Sequence, residues 1–248
     1  MPRASTPGAR PPRGMDKVFV SLDTPDPERA ANLVQSLQGR VGGFKLGKEF
    51  LASQGPDAAR KVVGEQPLFL DVKYHDIPNT VAAALRAIAR QRPAIVNVHA
   101  SGGAAMMRAG VEAVREAAAE LQVQPPWLVA VTVLTSLDEQ DLEEVGQRGP
   151  VSDQVARLAH LAQNCGLDGV VCSPQEIATL RKACGPDFKL IVPGIRPSGA
   201  AVGDQKRIMT PGDAFAAGAD ILVIGRPITA AEDPRIAAER IAREIELF

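Results

Sequence analysis

The sequence predicts an α/β fold, a single (β/α)8 barrel, on three observations. Eight short β-branched runs alternate with Ala/Leu/Arg/Glu-rich segments of helical period. The runs are apolar on both faces, the mark of strands covered by helices on one side and by a core on the other. Polar residues collect where the runs end, at the face where barrels of the TIM type carry their chemistry. In order, KVFVSLD (17–23) precedes the helical PERAANLVQSLQ (27–38), and GGFKLG (42–47) and LFLDVK (68–73) are the next two strands. AAALRAIARQR (82–92), AIVNVHA (94–100) and GAAMMRAGVEAVREAAAEL (103–121) continue the alternation. WLVAVTVL (127–134), SDQVARLAHLAQNC (152–165), GVVCS (169–173) and SPQEIATLRKAC (173–184) form the next units. KLIVPGI (189–195), TPGDAFAAG (210–218), ILVIG (221–225) and IAAERIAREIEL (236–247) complete the set. No stretch between them has the composition of an inter-domain linker, so residues 16–248 are expected to be one catalytic domain. An open doubly wound sheet is the weaker alternative.

The first fifteen residues are expected to be a disordered tail: MPRASTPGARPPRG has three arginines and four prolines and lacks the apolar segment of a secretory signal. A length of 248 residues suits one barrel, and 45 % apolar with only 4 % aromatic residues indicates an aliphatic core. A net charge of −1, with Lys and Arg scattered, provides no electrostatic footprint for nucleic acid or an anionic membrane. A small-molecule partner is expected. No apolar stretch reaches the ~18 residues of a membrane-spanning helix. Cys165, Cys172 and Cys184 show no metal spacing and read as reduced structural thiols of a cytoplasmic protein.

The strand ends carry Asp23, Lys45, Asp71 and Lys73, Asn97 and His99, Thr132 and Thr135, Ser173, Arg196 and Arg226. Strand alternation puts Asp71 and Lys73 on one face, and Lys45 from the neighbouring strand approaches Asp71 from its other side. Such a Lys-Asp-Lys array desolvates far more cheaply than isolated charges. Asp76 lies in the following turn, where it also suits the N-cap of a helix starting near Pro78. Near the other end, Gly225-Arg226-Pro227 follows a strand, and the backbone N–H groups with the Arg226 guanidinium suit a phosphate. The preceding PGIRPSGAAVGDQKRIMTP (193–211) has the composition of a mobile lid. His75 and His99 belong near the mouth and His160 on a helix surface. No His pair has metal-ligand spacing with carboxylates, so no metal is expected.

DVKYHDIPNT closely resembles the signature of the orotidine 5′-monophosphate decarboxylase family. The resemblance runs in order through FKLGKE, VNVHASGG, AVTVLTS, CGLDGVVCS, PGIRPSG, GDQKRIMTP and VIGRP, covering Lys17 to the C-terminus. It implies a metal-free and cofactor-free decarboxylation of orotidine monophosphate to uridine monophosphate, the last step of de novo pyrimidine nucleotide synthesis. By position, it makes Lys73 the proton donor to C6 and places Asp71 beside the departing carboxylate. Lys45 binds the ribose and holds Asp71, and Asp23 contacts the ribose. Thr135 contacts the pyrimidine; Gln205, Gly225 and Arg226 bind the phosphate, with Arg196 approaching it from the closing loop. The resemblance further implies a homodimer in which Asp76 and Thr80 complete the partner's site. The Asp-x-Lys-x-x-Asp pattern alone is shared with related barrel enzymes, which leaves a metal-dependent sugar-phosphate decarboxylase or synthase as the second reading. A catalytically silent nucleotide-binding protein is the third.

Overall fold

A computed structural model describes residues 10–198 and 208–246. Eight strands, β1 (Val18–Ser21), β2 (Gly43–Gly47), β3 (Leu68–Tyr74), β4 (Ile95–His99), β5 (Trp127–Val131), β6 (Gly169–Val171), β7 (Lys189–Val192) and β8 (Ile221–Ile224), close in sequence order into a barrel. Every neighbouring pair is parallel, as the two-sided apolar runs require. Around them lie α1 (Pro27–Leu37), α2 (Lys48–Val63), α3 (Pro78–Ala89), α4 (Gly103–Leu121), α5 (Glu139–Glu144), α6 (Val151–Asn164), α7 (Ile177–Cys184), α8 (Pro211–Ala216), α9 (Arg226–Thr229) and α10 (Pro234–Glu246). The expected (β/α)8 barrel is the observed fold.

Strand alternation sorts the apolar residues between two cores. Phe19, Phe69, Ile95, Val129, Ile191, Ile221 and Val223 form one cluster, in phase with the residues that line the central cavity, and so fill the barrel interior. Their out-of-phase neighbours, among them Val20, Phe44, Leu70, Val96 and Leu222, join the larger core beneath the helices. Gly43 occupies an inward position where a Cβ would lie 2.5 Å from the Phe19 ring, so the ring of one strand takes the space left by the next. Below this layer Lys189 stands over the Trp127 ring, 5.6 Å from its centre.

Local chemistry explains most boundaries. Asp26 caps α1 by accepting the Glu28 N–H, with Pro27 in the first turn. Pro78 opens α3 in the same way, but its N-cap is Ile77; Asp76, which suits that role in the sequence, accepts the Ile77 N–H one residue earlier. α2 carries no clean helical pattern because Gly55, at φ 77°, and Pro56 break it in the middle. The expected strands at 127–134, 169–173 and 189–195 end early, at Val131, Val171 and Val192, where the chain leaves the ladder to wall the cavity. Residues 1–9 of the expected tail lie outside the described residues, while Met15 at its end is fully buried. The three cysteines are buried and free, and His160 is exposed on α6. Among the described residues no helix is long and apolar enough to cross a membrane.

Candidate active site

The C-terminal ends of the strands open into a cavity of about 250 Å³. Asp23, Lys45, Asp71, Lys73, Thr135, Arg196, Gly225 and Arg226, all singled out in the sequence, line it together. The register explains how charges distant in sequence meet. Asp71 pairs with Gly47, one inward position above Lys45, so the lysine reaches diagonally upward past a residue without a side chain. Lys45 Nζ lies 3.2 Å from Asp71 Oδ2 and 3.4 Å from Asp23 Oδ1. Lys73 Nζ lies 2.6 Å from Asp71 Oδ1, which completes the expected Lys-Asp-Lys array. Ser21 Oγ donates to Asp23 Oδ1 at 2.7 Å and fixes the outer carboxylate.

The array is stabilised by mutual compensation. Asp71 and Lys45 are each 8 % exposed, so neither charge is well solvated. Burial opposes ionisation of Asp71, but Lys45 and Lys73, with hydrogen bonds from Lys73 and Asn97, outweigh it and hold its pKa at about 2. The central carboxylate is therefore charged at neutral pH, which keeps both ammonium groups aimed into the cavity.

Lys73 does not reach its place by simple alternation. The β3–β4 ladder pairs Leu70 with Val96 and next Tyr74 with Val98, so four residues of β3 advance against two of β4. Within this irregularity Lys73 takes a left-handed backbone, φ 50°, a strained conformation for a residue with a side chain. Asn97, fully buried, accepts the Lys73 N–H at 2.7 Å and donates to Asp71 Oδ1 at 2.7 Å. Asn97 was visible in the sequence only as a strand-end polar residue, and Ser21 not at all. Their inward phase on β4 and β1 was the available signal.

Other expected positions fall elsewhere. Asp76 and Thr80 are exposed and do not line the cavity of their own chain, and Ile77 between them is 66 % exposed. Gln205 and the middle of the expected lid, residues 199–207, lie outside the described residues. What is described of the lid is its base, where Ile195 and Met209 form a bridge and Arg196 N–H donates to the Met209 carbonyl at 3.0 Å. Among the described residues no three His, Cys, Asp or Glu side chains are grouped to hold a metal ion.

His75 and His99 sit at the rim, ring centres 5.6 Å apart. Burial, together with His75, Lys48 and Lys73, lowers the His99 pKa from its ordinary 6.5 to about 4. Between these values the unfolded chain binds a proton that the folded chain does not, so stability is expected to fall as pH drops from 6.5 to 4. Melting temperatures across that window should show a shallower slope in His99→Gln than in the native chain. Equal slopes would assign the acid sensitivity to other groups. Asp71 adds its own loss only lower, between its ordinary 3.8 and about 2.

Residues 16–241 match the orotidine 5′-phosphate decarboxylase / HUMPS family. The chain belongs to that family. An orotidine 5′-phosphate decarboxylase of Paramagnetospirillum magneticum is 56 % identical over 234 residues, covering 94 % of this chain and all of the relative. The Moorella thermoacetica protein of the same name is 53 % identical, covering 94 % of this chain and 93 % of that one. The crystal structure of orotidine 5′-phosphate decarboxylase from Lactobacillus acidophilus superposes with a TM-score of 0.81 at 35 % identity, covering 95 % of this chain and 99 % of that one. The family's matched span takes in every charged residue of the cavity, from Asp23 to Arg226.

Proposed function

We propose that the protein decarboxylates orotidine 5′-monophosphate to uridine 5′-monophosphate and CO2, the last step of de novo pyrimidine nucleotide synthesis, as a cytoplasmic homodimer. The observation that carries this reading is the Lys45–Asp71–Lys73 array at the mouth of a barrel of this family. In the reaction the bond from C6 to the carboxylate breaks, CO2 leaves, and the electron pair stays on C6 with little ring delocalisation. The Lys73 ammonium stabilises that pair and delivers a proton to it; the neutral amine left behind regains a proton from solvent. Asp71, ionised between two lysines, holds Lys73 in place and lies beside the departing carboxylate.

Lys45 and Asp23 take the ribose, and Thr135 the pyrimidine. Arg226 and Gly225, with Arg196 and with Gln205 from the loop, take the phosphate, and this remote contact supplies binding energy that orients the reacting carbon. Asp76 and Thr80 complete the site of a second copy, a role supported by their exposure beside the bared Ile77. No metal or cofactor takes part.

The test is the fall in ultraviolet absorbance when purified protein meets orotidine monophosphate in excess chelator. Conversion is expected. Its absence, with turnover of a ketose phosphate after magnesium is added, would overturn the reading in favour of the sugar-phosphate chemistry of related barrels. Tight uridine monophosphate binding without CO2 release would instead identify a silent nucleotide-binding protein. Arg226→Ala should raise KM by roughly 10²-fold, the scale of a charge-assisted phosphate contact of about 2–3 kcal/mol, with melting temperature nearly unchanged because the side chain is exposed. An unchanged KM would remove Arg226 from the phosphate site.

A further inference from the structure

We infer that Asn97 is a positioning residue of the charged site, orienting the Asp71 carboxylate and fixing the backbone from which Lys73 enters the cavity. The inference rests on the decarboxylase reading for its kinetic readout, but its geometry does not. Asn97 occupies an inward position of β4, in phase with Ile95 below it and His99 above. Its amide has two partners that demand opposite things. The Asp71 carboxylate only accepts, so Nδ2 must face it; the Lys73 N–H only donates, so Oδ1 must face that. The amide offers a donor and an acceptor on one rigid plane, which an ionised carboxylate or an aliphatic side chain of this volume does not.

The register shift creates the need. Where β3 advances four residues against two of β4, the Lys73 N–H leaves the strand ladder and requires a substitute acceptor. The same hydrogen bond holds Lys73 at φ 50°. Turning the peptide back to an extended conformation would swing the lysine away from the carboxylate that it now meets at 2.6 Å. On the Asp71 side, Asn97 and Lys73 share Oδ1 while Lys45 takes Oδ2, so the carboxylate plane is set by three contacts from three strands. Asn97 itself does not line the cavity. Its effect on chemistry therefore runs through the two residues it holds.

Asn97→Ala and Asn97→Asp, made in the full chain, separate this role from simple structural support. A misplaced proton donor costs on the order of 10²-fold in rate, so Asn97→Ala should lose about that factor in kcat while KM and the Kd of uridine monophosphate stay within about threefold. Asn97→Asp keeps the shape and the acceptor for the Lys73 N–H. Protonated, it donates to Asp71 as the amide does; ionised, it puts a second carboxylate against the first. Its kcat should therefore rise as pH is lowered, relative to the native profile. The charged groups around position 97 are Asp71 and Lys73 on β3, Lys45 on β2, Asp23 after β1, and His75, His99 and Lys48 at the rim. All of them are common to native and variant, so the difference between the two profiles reports the new carboxyl.

Amide-resolved hydrogen exchange gives a readout independent of turnover: the Lys73 N–H should exchange at least ~10-fold faster in Asn97→Ala, with the amides of Leu70 and Val98 unchanged. If Asn97→Ala does not fold, the Asn97→Asp pH profile decides alone. Native kcat in Asn97→Ala, a loss confined to KM, or coincident pH profiles would overturn the inference. Native protein that releases no CO2, with Lys73 exchange still governed by Asn97, would instead sink the decarboxylase reading and leave the positioning role standing.

Discussion

Lys73→Ala is expected to lower kcat for orotidine monophosphate by at least ~10⁴-fold, because one side chain supplies two effects. Proton delivery by a placed acid contributes roughly 10²–10⁴, and a preorganised charge at the site where charge develops contributes roughly 10²–10³. The fold should survive the change. Asp71 keeps Lys45 at 3.2 Å and Asn97 at 2.7 Å, so the carboxylate that remains is still paired. Lys73 also has the more exposed side chain of the two lysines, at 25 % against 11 % for Lys45, so its removal leaves only a shallow void. A loss of about 1 kcal/mol corresponds to a drop of roughly 2–4 °C in melting temperature for a domain of this size. Turnover and thermal melts on the same preparation check both halves. A variant within tenfold of native turnover would show that the proton comes from elsewhere.

Asp71→Asn is expected to damage stability and activity together. It removes the carboxylate that stands between Lys45 and Lys73 and leaves two ammonium groups facing a neutral amide, with Lys45 only 8 % exposed and held by Asp23 alone at the longer 3.4 Å among the described residues. Removing one member of a buried ion pair costs about 3–5 kcal/mol, which at this size is a melting temperature lower by about 10 °C. The sign of the pH dependence distinguishes this cause from lost packing. Like charges in a desolvated site push a lysine below its ordinary pKa of about 10.4, so the unfolded variant binds more protons than the folded one. The deficit relative to native should therefore shrink as pH rises from 7 toward 10. A deficit independent of pH would mean that charge is not what the variant lost. Turnover should fall at every pH, because Lys73 loses the partner that aims it.

The contrast between these two variants follows from where each residue stands in the array, and that was only partly readable from the chain. The alternation of β-branched runs with helical segments, and the gathering of Lys45, Asp71, Lys73, Arg196 and Arg226 at strand ends, are local patterns of period 2 and 3.6. They identify the strands and the face of the barrel that carries the chemistry without any knowledge of distant contacts. Among the helices that escaped, α2 did so because Gly55 and Pro56 break its period locally, and α5 because six residues are too few to show one.

What escaped the sequence lies in the register between strands. Lys73 and Asn97 are 24 residues apart, and Asp71 and Asn97 are 26 apart. Their meeting depends on the shift between β3 and β4 and on the left-handed turn at Lys73, neither of which leaves a local trace. The exposed placement of Asp76 and Thr80, three and seven residues beyond Lys73, is decided in the same way, by the direction in which α3 leaves the barrel rim. The sequence by itself determined the barrel, its chemical face and the residues that carry charge there, since each is written in a pattern a few residues long. Only the tertiary structure decided what holds those charges in contact, Asn97 and the left-handed turn at Lys73, because the closure of eight strands sets distances that no local segment encodes.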